Sequence, residues 1–448
     1  MHSIRFIHTG DLHLGSPLKA VGKVSEELQQ SLLESTYRAI RKIVDNALEY
    51  QVDFVLISGD IYDNEARSVR GNRFFAVQME RLAQENIPVF VIYGNHDPIG
   101  KSIDYFRLPE NVKILGAAEV EMCTLKDPSG RGRVRIIGQS YAAPSETRKI
   151  HLNYQPPADD LINIALLHTG LNPSANAYVP CSPKELKRQA GIHYWALGHI
   201  HSPTIIDDGH PVIAYCGIPQ GRDVGETGIR GCLLVEISAS TAAQVNFIPT
   251  SAIIWLTPKI TLDPGQALNN LDDLTDLLLK EGQKIIATPP PIPPGFFCPH
   301  SDYEPEGYVV RWEVRGRNPI HDNLISGNEA EIATELAEIL NQHLTTTRPY
   351  LWTEGVRLHT GSPIPDLESL LKQDETVKTL EEIKRAVEEK PEFREKAIAD
   401  LGNIWYKPQD PEDLRDDAFP MTDEKFNSLL KDAFNMVLEK IVGEREDH

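Results

Sequence analysis

Cysteine is scarce in this chain, and positive charge is in deficit. The 448 residues include five cysteines, an odd number, widely scattered and without any CxxC pair. A disulfide framework and a thiolate zinc site are thereby excluded. Lys and Arg number 45 against 65 Asp and Glu, a formal net charge of −20. Affinity for nucleic acid comes largely from counterion release by a basic surface, so so acidic a chain does not bind duplex unaided unless metals or a partner supply the positive charge. No uninterrupted apolar run approaches the roughly 20 residues that cross a bilayer, and residues 1–7 run into a strand-like segment without a signal-peptide pattern. A soluble cytoplasmic protein, in a reducing compartment and without a membrane, is the expectation.

What is present has an ordinary globular balance, 41% hydrophobic and 25% charged, which argues against a largely disordered chain. The length exceeds one compact domain and predicts two or three. Charge divides unevenly along it. Residues 1–250 hold 24 Lys+Arg and 27 Asp+Glu, a net −3, while 251–448 hold 21 and 38, a net −17.

The first 250 residues alternate β-rich runs with helical patterns. Ile4 to Ile7 reads as a strand, 24–50 as a helix, Phe54 to Ile57 as a strand, 70–86 as a helix, and 88–93 as a strand. Further apolar runs at 162–167, 194–197 and 232–235 predict more strands. A layered α/β domain over 1–255 follows. A second, α+β unit is expected at 256–360, with helices at 266–281 and 328–343. Its strand at 308–314 turns Val310, Trp312 and Val314 to one side and Arg311, Glu313 and Arg315 to the other. The run 289–294, five prolines and Ile292, reads as a stiff surface loop. An acidic helical segment, 361–448, completes the chain. There Thr422 is the expected N-cap of a helix whose Phe426, Leu429, Leu430, Ala433, Phe434, Val437 and Ile441 share one face, and 407–420 reads as a tether.

Five polar clusters carry the chemistry, nearly all just after apolar strands: Asp11-Leu12-His13, Gly59-Asp60-Ile61-Tyr62-Asp63, Gly94-Asn95-His96-Asp97, His168, and Gly198-His199-Ile200-His201. Each alone has a bland explanation as a turn or a hydrogen-bonded histidine. Five in succession do not. They offer only nitrogen and oxygen donors, and imidazole with carboxylate and amide oxygen suits Mn, Fe or Zn better than an all-oxygen set would. A two-metal site is expected.

This order of motifs resembles the calcineurin-like metallophosphoesterase superfamily over about residues 1–250. The resemblance implies a layered β-sandwich domain flanked by helices, followed by a small α+β capping domain and a helical C-terminal segment. By position it implies one metal on Asp11, His13, Asp60 and His201 and a second on Asp60, Asn95, His168 and His199, with Asp60 shared. Such a pair of ions can activate a bridging water and neutralise phosphate oxygens. His96 would contact the scissile phosphate or protonate the leaving oxygen, with Asp97 orienting it. Asp63 is either a support to a metal ligand or a helix cap. The text from Gly59 to Glu65 is closer to the SbcD-like DNA repair nucleases than to protein phosphatases, and Gly217-Ile218-Pro219-Gln220-Gly221-Arg222, Glu226-Thr227-Gly228 and Gly316-Arg317-Asn318-Pro319-Ile320 are similar to the YhaO subgroup. Arg222 would contact phosphate or another subunit, or form a salt bridge beneath the site.

The resemblance therefore implies a Mn-dependent DNA exonuclease or endonuclease subunit, with Fe, Zn or Mg as other candidate ions. An SbcC-like or YhaN-like SMC-type ATPase, engaging the C-terminal helix, and a second copy of the chain are its expected partners. A small-molecule or nucleotide phosphodiesterase or phosphatase with the same metal core, and a scaffold with a vestigial site, are the competing expectations.

Overall fold

The structure is a computed structural model. It describes the chain except residues 1–2, 17, 19–25, 64–66, 100–104, 128, 175–176, 239–240, 300–302, 364–369, 373, 403–404, 407–418 and 447–448. In chain order the first elements are β1 (Ile4–Thr9), α1 (Glu26–Glu49), β2 (Phe54–Ser58), α2 (Val69–Gln84), β3 (Val89–Ile92), β4 (Val112–Ile114), β5 (Glu121–Lys126) and β6 (Gly132–Gly138). They continue with β7 (Ile162–His168), α3 (Pro183–Lys187), β8 (Tyr194–Gly198), β9 (Thr204–Asp207), β10 (Val212–Tyr215), β11 (Gly231–Ser238) and β12 (Thr241–Pro249). Two six-stranded sheets result, in the orders β12-β11-β1-β2-β3-β4 and β5-β6-β7-β8-β10-β9. This is the layered sandwich that the resemblance implied.

The central strands are predominantly apolar because both of their faces are covered: all residues of β2, β3, β7 and β8 are buried. Between the sheets Phe6 stacks on Phe54 with ring centroids 4.9 Å apart and meets the edge of Tyr194 at 5.4 Å. On the outer face of the first sheet, Ile40, Val44 and Ala47 of α1 and Phe75, Met79 and Leu82 of α2 pack over Val55, Ile57 and Val91. These are the inward positions of two amphipathic helices. The second sheet is covered by Tyr141, Tyr154, Val179 and Leu186, which pack on Trp195 and Leu197.

The accessory elements are β13 (Ile253–Leu256), β14 (Lys259–Leu262), α4 (Leu271–Ala287), β15 (Gly307–Arg317), α5 (Ile320–Ser326), α6 (Glu329–Leu344) and β16 (Tyr350–Gly361). Their sheet runs β13-β15-β14, with β16 also on β15. Val310, Trp312 and Val314 are fully buried, while Arg311, Glu313 and Arg315 are not, as the alternation predicts. The 289–294 run lies between elements as a loop. Leu28 and Leu32 of α1 share a cluster with Trp255, Val309, Tyr350 and Trp352. That common core places most of residues 1–359 in one compact unit, comprising 1–261, 268–315 and 323–359.

The second unit comprises 262–267, 316–322 and 360–448. It contains α7 (Glu375–Glu389), α8 (Pro391–Asp400), the short parallel pair β17 (Trp405–Tyr406) and β18 (Phe419–Pro420), and α9 (Asp423–Glu446). The Thr422 hydroxyl accepts from the Lys425 N–H at 3.2 Å, so the expected cap forms. The face of α9 differs in part from the expected stripe. Phe426, Leu430, Phe434, Leu438 and Ile441 pack inward with Val377, Val387 and Ile398, whereas Leu429, Ala433 and Val437 are exposed, as is Met436. Spacing of four, four, four and three keeps the inner row on one side of a 3.6-residue helix; Val437 is one residue out of phase. The tether expected at 407–420 lies outside the described residues over 407–418. Among the described residues no helix is long and apolar enough to cross a membrane.

Trp312 is fully buried and donates from Nε1 to Thr353 Oγ1 at 3.1 Å. Trp312→Ala should lower the stability of the unit containing it by about 3–5 kcal/mol. Urea unfolding followed by far-UV dichroism checks this, and a loss under about 1 kcal/mol would show that the accessory sheet has no packed core.

Candidate metal centre

The ends of β1, β2, β3, β7 and β8 bring the five polar clusters to one place in the first unit. Main-chain bonds zip the loops together: Asp11 N–H donates to Gly59 O (2.9 Å), His13 N–H to Asp60 O (3.1 Å) and Leu14 N–H to Ile61 O (2.8 Å). Asp11, His13, Asp60 and His199 all hold positive φ, between 41° and 97°. Such backbone costs of order 1–3 kcal/mol per residue and persists only where its surroundings over-determine it. The His199 N–H donates to both Asp11 oxygens, at 3.1 and 3.0 Å, and the His96 N–H to Asp60 Oδ1 at 2.9 Å. Each loop thus fixes a carboxylate of another.

One atom each from Asp11, His13 and His201 lie within 4.8 Å of one another, and so do one each from Asp11, Asp60 and His168. Hydrogen positions explain why. His168 Nδ1 lies 3.0 Å from the Ser58 carbonyl, an acceptor, so Nδ1 carries the hydrogen. Its Nε2 then faces Asn95 Oδ1 at 2.9 Å and Asp60 Oδ2 at 3.4 Å, both oxygens. His199 Nδ1 approaches the same Asn95 oxygen at 3.2 Å. On the other side His201 Nδ1 lies 2.6 Å from Glu226 Oε1, which fixes its hydrogen there and aims Nε2 at His13 Nε2, 3.3 Å away. Imidazole nitrogens and carboxylate and amide oxygens thus converge from several loops. Such a nitrogen–oxygen set fits divalent cations, and the groups Asp11, His13 and His201 and Asp11, Asp60 and His168 are the candidate ligands.

The electrostatics follow the same geometry. Burial opposes a charged His168, but the Asp60 carboxylate beside it outweighs burial and pushes its pKa up to about 9. His199 is pushed down to about 3 by burial and by His168. Burial would raise Asp60, yet His168 and His13 hold it well below the usual carboxylate range.

His96 lies at the edge of the cluster with its side chain 44% exposed, and its Nδ1 is 2.5 Å from Asp63 Oδ1. That bond to Asp63 raises the His96 pKa against the effect of burial. The carboxylate on His96 is therefore that of Asp63, not Asp97 as expected. Asp97 is fully buried and accepts backbone N–H bonds from Ile61 (2.7 Å), Tyr62 (3.3 Å) and Gly94 (2.9 Å), tying the second motif to the third. Burial and the Asp60 charge push it up to about 7. Asp63 also accepts from Ser16 Oγ at 2.8 Å and lies 3.5 Å from His13 Nδ1. Burial would raise its carboxyl, but these contacts with His13, His96 and Ser16 hold it far below the ordinary value.

Arg222 spans Asp63 Oδ2 and Glu226 Oε1, each at 3.2 Å, which is the salt bridge beneath the site. Sequence reasoning gave Glu226 no role, although it stands in the quoted Glu-Thr-Gly text. It also gave none to Tyr178, whose ring lies 4.4 Å from that of His199. No local signal marks Tyr178.

A model of the calcineurin-like phosphoesterase family matches residues 4–203. The chain is 32% identical over 290 residues to a protein of Bacillus subtilis (strain 168) described as an uncharacterized metallophosphoesterase, YhaO, over 63% of this chain and 70% of that one. It is similar to the DNA double-strand break repair protein Mre11 of Methanococcus maripaludis, 26% identical over 50% of this chain and 59% of that one. With Mre11 of Archaeoglobus fulgidus it is 24% identical over 50% and 52%. The matches thus span a little over half the length of these Mre11 proteins. A solved dimetal phosphatase from Danio rerio overlaps 55% of this chain and 99% of its own at 12% identity, with a TM-score of 0.31.

Gly94 sits where nothing larger fits. A Cβ there would lie 2.2 Å from Asp60 Oδ1 and 2.7 Å from the His168 ring. Gly94→Ala should therefore displace the Asp60 carboxylate and abolish stoichiometric uptake of divalent metal while leaving far-UV dichroism unchanged. Metal analysis after gel filtration checks this; full loading in the variant would place the ions elsewhere.

Proposed function

The chain belongs to the calcineurin-like phosphoesterase family, and from that premise we propose that it is a metal-dependent phosphodiesterase acting on DNA, with Mn as its working ion. The observation that carries this reading is the buried cluster of carboxylate, amide and imidazole groups with a half-exposed histidine at its edge. Two bound divalent ions would supply an activated water and neutralise phosphate charge. The protein's own part is positional. Asp60 holds both ion positions together, Asn95 carries one oxygen to two imidazoles, and Asp63 holds the hydrogen on His96 Nδ1. His96 Nε2 is then left to deliver a proton to the leaving oxygen.

DNA as substrate is supported by the Mre11 similarity, and the net charge of −20 is met by the ions themselves and by a partner. An SMC-type ATPase partner belongs to the same reading. The exposed Leu429, Met436 and Val437 of α9 are the apolar surface available to it, since the inner row is already packed.

Digestion of end-labelled duplex and single-stranded DNA, beside bis(p-nitrophenyl) phosphate, tests the reading. Manganese should support cleavage of DNA and chelator should stop it; hydrolysis of the small ester alone would make the chain a small-molecule phosphodiesterase. Asp60→Asn should abolish turnover, because losing the shared carboxylate loosens both ion positions. His96→Ala should lower kcat by about 10²–10⁴-fold with metal content nearly intact, and a metal-depleted variant would make His96 a ligand instead.

A further inference from the structure

The loop between β10 and β11 connects one half of the metal centre to the accessory sheet. At its inner end Glu226 backs His201 through the 2.6 Å contact at Nδ1. Glu226 is itself gripped. Its Oε2 accepts the Arg222 backbone N–H at 2.7 Å, and Oε1 accepts from Arg222 Nη2 at 3.2 Å. Arg230, nearly buried, donates to the carbonyls of His201 (3.0 Å) and Thr227 (2.8 Å).

At its outer end the same loop is bolted to β13. The Trp255 indole N–H donates to Gly221 O at 2.8 Å, and the Gly228 N–H to Trp255 O at 2.9 Å. Gln220 is fully buried, donating to Ile253 O at 2.8 Å and accepting from the N–H groups of Ala252 (2.8 Å) and Ile253 (3.2 Å). Gly221 has no room for a side chain, since a Cβ would lie 2.6 Å from Glu226 O and 3.2 Å from the Trp255 ring. Trp255 in turn packs with Val309 and Trp352 of the accessory sheet. Among the described residues the other ion position has no such link: His168 leans on the carbonyl of Ser58, inside the sandwich.

We propose that the 217–230 loop is a strut through which the accessory sheet sets one of the two ion positions, with Glu226 the positioning residue for His201 and Trp255 the anchor of the strut. The inference rests on the metal reading of the site. A carboxylate behind a ligating imidazole fixes its tautomer and raises its basicity, and its removal costs about 10–100-fold in metal affinity. Because the carboxylate is aimed by a loop that the accessory sheet holds, a change at Trp255 reaches His201 without touching any ligand.

The test is calorimetric titration of the full-length, metal-free chain with Mn(II), with thermal melts of the same samples. The wild type should take two equivalents. Glu226→Gln should weaken one of them about 10–100-fold and leave the other in place. Trp255→Phe, which removes the donated N–H while keeping an aromatic ring, should weaken the same equivalent. If Trp255→Phe does not fold, Thr250→Val asks the same question, because the Thr250 hydroxyl donates to Pro219 O at 2.9 Å and braces the loop. Anchor variants that bind both equivalents as the wild type does, or that weaken both alike, would sink the strut. A wild-type chain that takes up no Mn would overturn the metal reading first, and the strut with it.

Discussion

Carboxylates and imidazoles crowded into one buried space are the constraint on which the rest of this structure depends. Ser58 and Glu226 each hold an Nδ1 hydrogen, so the far nitrogens of His168 and His201 point inward. Asp11, Asp60 and Asn95 add oxygens to the same space. In a dry interior this arrangement is repulsive on its own. Two six-stranded sheets, strained backbone at four site residues and loops zipped through their main chains hold it together. Positive charge is what such a cluster is built to accept.

Much of this was legible in the sequence because the relevant chemistry is local. Each ligand cluster directly follows an apolar run, and runs such as 54–57 and 162–167 read as strands since both of their faces are buried. Of the strands that failed to show themselves, β6 and β10 are interior, while β5 and β9 lie at edges. β5 alternates between half-buried and exposed positions, and β9 has no fully buried residue, so neither carries a strong apolar signature. Pairings between distant side chains were not legible either. Whether Asp63 or Asp97 faces His96 depends on how two loops dock, and both carboxylates sit at plausible spacing. The inward row of α9 was read with its period right and its phase partly wrong, admitting the exposed Leu429, Ala433 and Val437 and omitting the buried Leu438. A shift of one residue turns a side chain by about 100° around a helix.

Asp63 and Asp97 also show how similar residues divide labour within one short stretch of sequence space. Asp63 keeps one oxygen for His96 and the other for Ser16 and Arg222, so it stays charged and partly open to solvent. Asp97 spends its oxygens on three backbone N–H groups and serves the scaffold. Mutational loss at the two positions would therefore differ in kind, one touching proton delivery and the other the docking of the loops.

The main-chain zipper between the loops after β1 and β2 separates the frame of the site from its reagents. Asp11, His13 and Asp60 stand where they do because carbonyls and N–H groups pair beneath them, and those pairs are indifferent to the side chains above. A lineage could therefore exchange one ligand for another, and with it the preferred ion or ester, without first paying for a new fold. Chemical diversity on a constant frame is what such a zipper makes accessible to evolution.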